Sequence, residues 1–175
     1  MSTPHQQQIV DLFEQHVAAE LAGDLDGTMN TMTDDPHLHN VPNGMGAAGR
    51  DAVRAFYGAH LVGKFFPPDV RMTPVSRTVG ETQMVDELVI SFTHTTEIEW
   101  MLPGIAPTGK PVEVAFAVIA GVKDGKVSHE HIYWDQATVL VQIGLLDPTG
   151  LPVVGAESAR RVLDPRLPPR FYAPA

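Results

Sequence analysis

The densest group of ionisable and aromatic side chains lies in the run His129–Gln136. A carboxyl or imidazole held in apolar surroundings can move protons near neutral pH, because burial shifts its pKa. We therefore predict that Asp135 is a general acid or base, and that His131 and His39 orient it or hydrogen-bond a substrate oxygen. The alternative is that Asp135 only caps the helix that begins at Gln136, and the two roles are compatible.

Side-chain alternation divides the last predicted strand into two faces. His129, His131, Tyr133 and Asp135 share one face, and Glu130, Ile132 and Trp134 share the other. A sheet curved over helices would gather polar groups into one apolar hollow, which is the usual form of a small-molecule site. The predicted ligand-binding residues are Tyr133, His94, Trp100, Phe56 and His60.

Each of these residues also has a structural interpretation. His39, His94 and His131 could be hydrogen-bonded core histidines. Tyr133 could be a packing anchor.

The chain contains two pairs of histidines, and within each pair the two histidines are separated by one residue. Such pairs could bind a metal ion. His37 and His39 would share a strand face, as would His129 and His131. Together they could hold a divalent ion only if the two strands are neighbours, which the sequence does not reveal. We predict no metal site and no cofactor.

A glycine-rich run, Gly44–Gly49, matches the spacing of a dinucleotide-binding loop. The segment before it, Val41-Pro42-Asn43, is not an apolar strand, and no second βαβ unit follows. We therefore interpret Pro42–Gly49 as a flexible loop at a cavity mouth.

The hydrophobic spacing predicts helices first and hairpin-connected strands afterwards, an order typical of α+β proteins. Predicted helices cover 3–22, with Thr3 and Gln6 forming a capping box, then 25–32, 50–61 and 136–143. Predicted strands cover 37–41, 70–79, 83–100, 112–122 and 127–134, with a turn at Asp34-Asp35-Pro36 and a tight hairpin at 123–126. For the strand over 83–100, a break or bulge near Thr95 is the alternative to one continuous strand.

Composition narrows the possible functions. The chain has 175 residues, a net charge of −9 and no cysteine. The acidic balance disfavours a nucleic-acid partner, and the lack of thiols excludes disulfides and cysteine catalysis. No apolar run is long enough to span a membrane, and the first residues do not resemble a secretory signal, so we expect a cytoplasmic protein.

The element order and the spacing Glu130-x5-Gln136-x5-Gln142-Ile143-Gly144 resemble the nuclear transport factor 2-like superfamily, in its SnoaL-like polyketide cyclase branch. The closest likeness is to a subgroup associated with dienelactone hydrolase (carboxymethylenebutenolidase) domains. Motifs of that subgroup resemble Ser76–Gly80, Leu102–Gly104, Pro107–Gly109 and His131–Gln136 here.

This resemblance implies a cone-shaped, strongly curved antiparallel sheet, an α+β barrel whose central pocket is closed by N-terminal helices, often in a homodimer. It also implies an acid/base aspartate seven residues before Gln142, which is Asp135. Cyclases tend to carry Trp where His131 stands, so the pocket differs from theirs.

We expect residues 1–146 to form this domain and residues 147–175 a proline-rich extension that packs on the domain or on a partner subunit. The expected function is small-molecule binding, with Asp135 acting on a carbonyl, lactone or ester-like substrate as a cofactor-free cyclase, isomerase or hydrolase. The first alternative is a non-catalytic ligand-binding or dimerisation module, and the second, which we rank below it, is a protein that binds a metal through its histidines.

Overall fold

A curved six-stranded sheet wraps around the N-terminal helices in the computed structural model, which describes residues 3–168. The strands are β1 (Met32–Asn40), β2 (Met45–Ala48), β3 (Arg71–Val79), β4 (Gln83–Thr93), β5 (Pro111–Lys123) and β6 (Lys126–Trp134). Their order across the sheet is β2-β1-β6-β5-β4-β3. Neighbouring strands are antiparallel except β1 and β6, which run parallel. The predicted α+β class with a curved sheet is confirmed.

The helices are α1 (Pro4–Leu21), α2 (Leu25–Asn30), α3 (Arg50–Phe56), α4 (Gln136–Ile143) and α5 (Glu157–Leu163). The predicted capping box of α1 is present: the Gln6 amide donates to Thr3 Oγ1 and the Thr3 amide donates to Gln6 Oε1. Helix α3 continues into one π-helical turn, Tyr57–Leu61. Such turns often occur at functional sites, since the extra residue re-aims a side chain.

The tight turn between β5 and β6 follows from its two central residues. Asp124 and Gly125 both have positive φ, of 52° and 70°. That pair of conformations matches the right-handed twist of the flanking strands. The predicted hairpin is therefore present, and it pairs Val122 with Val127. A shift in register between Gly121 and Val122 then brings Phe116 opposite Trp134.

Three predicted boundaries are wrong. Asp34-Asp35-Pro36 lies inside β1 rather than in a turn. Proline is tolerated there because the pairing of β1 with β6 is interrupted between Met32 and His37. The glycine-rich loop contains a short strand, β2. The strand expected over 83–100 ends at Thr93, which excludes one continuous strand and agrees with the alternative of a break near Thr95.

The C-terminal segment lies against the outer face of the sheet. The Arg160 guanidinium binds both carboxylate oxygens of Glu113 on β5, at 3.0 and 2.7 Å, and Ala159 of α5 is buried. Residues 169–175 of the expected extension lie outside the described residues. Across residues 3–168, no helix combines the length and the apolar character needed to cross a bilayer.

Candidate functional site

A cavity of about 370 Å³ lies between α1, the π-helical turn and the inner face of the sheet. Its walls are mostly apolar and include Phe13, Leu38, Leu88, Phe116, Val118 and Ile132. A mostly apolar hollow of this size, with few polar groups, is typical of small-molecule sites.

Three ionisable side chains form the polar end of this cavity. Glu20 comes from α1, Tyr57 from the start of the π-helical turn and Glu130 from the inner face of β6. His16 lies behind them and contacts all three. All four are at most 5% exposed, so their interactions are formed away from water.

The sequence of α1 explains two of these positions. Its buried residues are Ile9, Phe13, His16 and Glu20, spaced by four, three and four residues. That spacing places them on one helix face. The stripe therefore begins with apolar residues and ends in the His16 imidazole, which lies behind the cavity, and the Glu20 carboxyl, which lines it.

The hydrogen bonds fix where the protons lie. The Thr31 hydroxyl donates to the Thr28 carbonyl at 2.6 Å, so it accepts from His16 Nδ1 at 2.6 Å. The Tyr57 hydroxyl donates to Glu130 Oε2 at 2.5 Å. His16 Nε2 then faces oxygen atoms only, at 3.3 Å from Glu20, 3.4 Å from Glu130 and 3.3 Å from Tyr57. Both ring nitrogens therefore act as donors, and His16 is an imidazolium.

The two carboxyls differ in acidity, although His16 lowers the pKa of both. Burial alone would lower the pKa of His16, but the charges of Glu130 and Glu20 raise it to about 10. Burial raises the pKa of Glu20, and attraction to His16 offsets this only in part. Burial would also raise the pKa of Glu130, but its contacts with His16 and Tyr57 hold it below its ordinary value. Two carboxyls separated in this way can serve as a proton carrier and a fixed anion.

His16, Glu20 and Glu130 also place three potential metal-ligand atoms within 4.8 Å of one another. A metal would have to displace the proton on His16 Nε2, because a ligand nitrogen must offer a lone pair. The raised pKa of His16 opposes that loss. The arrangement therefore favours proton chemistry over metal binding.

An ion-pair network lies beside the cavity, between α1 and the sheet. Arg77 on β3 binds Asp86 on β4 at 2.6 and 2.8 Å and Glu14 on α1 at 2.8 Å. These contacts raise the pKa of Arg77. All three residues line the cavity, so this network connects the helix to the sheet at its edge.

The charge on His16 predicts a pH-dependent stability. We expect the free energy of unfolding to fall as pH rises from 6.5 towards about 10. The pKa of His16 is raised from 6.5 to about 10 on folding, so the folded protein keeps a proton that the unfolded chain releases. The resulting stabilisation is complete below pH 6.5 and is lost as pH rises through about 10.

Urea unfolding of the wild type and of His16→Gln across this range would measure the effect. The variant should show a shallower decline than the wild type, whose slope can reach about 1.4 kcal/mol per pH unit. Parallel curves for the two proteins would show that His16 does not carry this charge.

Asp135 does not project into the cavity, contrary to the expected geometry. Its side chain is exposed and caps α4, accepting from the Thr138 amide at 3.1 Å and from the Thr138 hydroxyl at 2.7 Å. The interpretation of Asp135 as a helix cap therefore matches the structure. The reason is the orientation of β6, whose inner face carries Glu130, Ile132 and Trp134.

The other residues expected on the Asp135 face also point away from the cavity. His39 is exposed and His131 half-buried on the outer face, where their ring centres lie 6.3 Å apart. Burial and the charges of His37 and His39 lower the pKa of His131. Tyr133 is 40% exposed and does not line the cavity.

Of the remaining expected ligand-binding residues, only Trp100 lines the cavity, and its Nε1 donates to the Phe65 carbonyl at 2.8 Å. His94 is buried with Nδ1 held by Thr108, and burial lowers its pKa, so it is a neutral core histidine. Phe56 and His60 contact each other at 5.1 Å between ring centres, and neither lines the cavity.

Sequence reasoning missed His16 and Glu20 and did not assign chemistry to Tyr57. A usable signal existed in α1, where a histidine and a glutamate four residues apart continue an apolar stripe. Polar residues on such a stripe must find partners inside the protein. Their partners, Tyr57 and Glu130, lie far away in the sequence.

A curved mixed sheet that wraps helices around an apolar cavity is the cone fold of nuclear transport factor 2-like proteins. Within that class, residues 13–130 match the family model described as the SnoaL-like domain. The match covers more than half of the chain, which therefore belongs to the SnoaL-like family.

Solved structures agree on the fold. A candidate SnoaL-like polyketide cyclase from Jannaschia sp. CCS1 is 17% identical, with a TM-score of 0.66, and the match covers 84% of this chain and 99% of that one. The candidate polyketide cyclase IdmH from Streptomyces antibioticus is 22% identical, with a TM-score of 0.58 and coverage of 77% and 97%. The candidate hydroxylase AclR from Streptomyces galilaeus is 23% identical, with a TM-score of 0.58 and coverage of 81% and 87%. No curated protein sequence matches the chain.

Proposed function

We propose that this protein binds an apolar small molecule with a carbonyl, lactone or ester-like group in its internal cavity, and that Glu20 acts there as general acid/base. The observation that carries the proposal is the pair of buried carboxyls, Glu20 and Glu130, at the polar end of the cavity. Burial raises the pKa of Glu20, whereas hydrogen bonds and a neighbouring positive charge hold the pKa of Glu130 below its ordinary value. The family membership supports a small-molecule role, because the neighbouring structures include candidate polyketide cyclases.

The proposed chemistry is a proton transfer. Glu20 takes a proton from the carbon next to a carbonyl and returns it at another position of the same molecule, as in an isomerisation or an aldol-type ring closure. A carboxyl with a raised pKa suits both steps near neutral pH. Glu130 remains ionised, held by His16 and Tyr57, and balances the imidazolium.

Proton exchange tests this proposal without knowledge of the natural substrate. α-Tetralone, a bicyclic ketone, would be incubated with the protein in D2O, and loss of its α-proton signal followed by NMR. We expect exchange above the buffer rate for the wild type. Glu20→Gln should reduce the enzymatic rate by about 100-fold or more, since general acid–base groups contribute factors of that size. Its binding of the ketone should change little, because glutamine keeps the shape of the side chain.

Asp135→Asn is the matched control. Asparagine caps helices as well as aspartate does, so α4 is retained while the carboxylate is removed. We expect normal exchange in this variant. Loss of exchange in Asp135→Asn, with Glu20→Gln unaffected, would instead support the acid/base role that the sequence predicts for Asp135.

Binding without turnover is the second candidate function. The observation that favours it is that His16, Glu20, Tyr57 and Glu130 contact one another and form a closed network. Ketone binding by the wild type with exchange at the buffer rate would support this alternative. A homodimer, a relation to domains associated with dienelactone hydrolases and a cytoplasmic location stay predictions from the sequence.

A further inference from the structure

Four histidines meet on the outer face of the sheet, opposite the cavity. His37 and His39 lie on β1, and His129 and His131 lie on β6. The two strands are parallel neighbours with His37 opposite His129 and His39 opposite His131. The chain has eight histidines in all, so half of them are gathered in this one place.

Three of these rings form a compact group. The ring centres lie 4.9 Å apart for His37 and His129, 5.2 Å for His37 and His131, and 4.9 Å for His129 and His131. The Nε2 atoms of His37 and His131 are 3.1 Å apart. Two nitrogens bound to one zinc ion at about 2.0–2.1 Å in a tetrahedron are separated by roughly 3.3 Å. This pair is therefore already spaced as two ligands of one ion.

The surroundings of His129 make room for its ring. A Cβ atom added at Gly121 on β5 would lie 2.1 Å from His129 Cε1, so only glycine allows the ring to lie over the neighbouring strand. The Ser128 hydroxyl is 3.2 Å from His129 Nδ1. These two contacts hold the His129 ring beside His37 and His131 but do not aim its nitrogen at their Nε2 atoms, so ligation requires the side chain to rotate.

We propose that His37, His129 and His131 form a surface site for a divalent transition-metal ion. Imidazole ligands without thiolates suit zinc, copper, nickel and cobalt, and the chain has no cysteine. His37 and His131 are in place, and His129 completes the site by rotation of its side chain. Without metal, one of the two rings donates its Nε2 hydrogen to the Nε2 atom of the other across the 3.1 Å contact. When the cation binds between them, that proton leaves Nε2 for solvent, and the ring stays neutral by taking up a proton at Nδ1. His39, 6.3 Å from His131 between ring centres, lies at the rim of the site.

Calorimetric titration of the untagged protein with zinc chloride, together with visible absorption spectra after addition of Co²⁺, would test this proposal. We expect one Zn²⁺ per chain and a Co²⁺ spectrum with the bands of nitrogen ligation. His37→Gln and His131→Gln should each weaken Zn²⁺ binding by about tenfold or more, because each removes a ligand nitrogen. Circular dichroism would confirm that both variants fold.

Two further variants serve as controls. His5→Gln changes an exposed histidine on α1 that contacts the Glu81 carbonyl, and it should leave Zn²⁺ binding unchanged. His16→Gln changes the buried group formed by His16, Glu20, Tyr57 and Glu130 at the cavity. It should also leave the affinity for Zn²⁺ unchanged. A wild type that binds Zn²⁺ no more tightly than a His37→Gln/His131→Gln double variant would overturn the proposal. Binding that is lost in His16→Gln but kept in His131→Gln would overturn it too, by placing the ion in the cavity.

Discussion

Replacing Glu130 with alanine is expected to lower the free energy of unfolding by about 3–5 kcal/mol, the largest effect on stability that this account predicts. The change removes the carboxylate that accepts from the Tyr57 hydroxyl and lies 3.4 Å from His16 Nε2. An imidazolium is then left in a buried site with only Glu20 to balance it. Chemical unfolding monitored by fluorescence would measure the loss.

Glu14→Ala is the matched control for this experiment. Glu14 also belongs to an ion pair between α1 and the sheet, at 2.8 Å from Arg77, but its side chain is 62% exposed. Solvent screens such a pair, so we expect a loss of about 0–1 kcal/mol. Equal losses in the two variants would show that the buried cluster does not carry the charges assigned to it. If Glu130→Ala does not fold, Glu130→Gln provides a milder change whose loss should lie between the two.

Replacing Val118 with tryptophan is expected to weaken ligand binding by about 100-fold or more, equivalent to about 2.7 kcal/mol. Val118 lies on the inner face of β5 between Asp86 and Ile132 and lines the cavity. The larger indole would occupy space that the ligand needs. Calorimetric titration with α-tetralone, or with the tightest binder of a panel of aromatic ketones and lactones, would measure the affinity.

The thermal stability of Val118→Trp shows whether the variant loses binding because its cavity is filled or because its fold is disrupted. A large side chain placed in a tightly packed core costs about 1–3 kcal/mol, whereas one that enters an existing cavity costs less. We expect Val118→Trp to unfold close to the wild-type temperature. Val75→Trp, at an exposed position of β3 outside the cavity, should bind the ligand normally. Normal binding in Val118→Trp would show that the ligand binds elsewhere.

Much of the fold could be predicted because its signals are local. The capping box at Thr3, the tight turn at Asp124 and the bounds of α4 each depend on a few neighbouring residues. The family resemblance added the curved sheet, which the structure confirms. The short strand β2 was missed because its pairing with β1 depends on a register that the glycine-rich sequence does not reveal.

The site could not be predicted because the alternation of side chains along a strand assigns them to two faces but does not show which face points into the protein. On β6 the face with Glu130 is buried and the face with His131 and Asp135 is not. A charged Glu130 is tolerated inside only because His16 and Tyr57, from distant segments, supply a counter-charge and a hydrogen bond. The sequence also did not show that the two histidine pairs are adjacent, because this depends on the parallel pairing of β1 with β6.

The most direct test of the central claim, that the internal cavity is the ligand site, is an NMR titration of protein labelled at the methyl groups of isoleucine, leucine and valine. Addition of the tightest-binding ketone should perturb the methyl signals of the cavity residues Leu38, Leu88, Val118 and Ile132. Perturbation confined to Val139 and Leu140 of α4, next to Asp135, with the cavity methyls unchanged, would contradict the account.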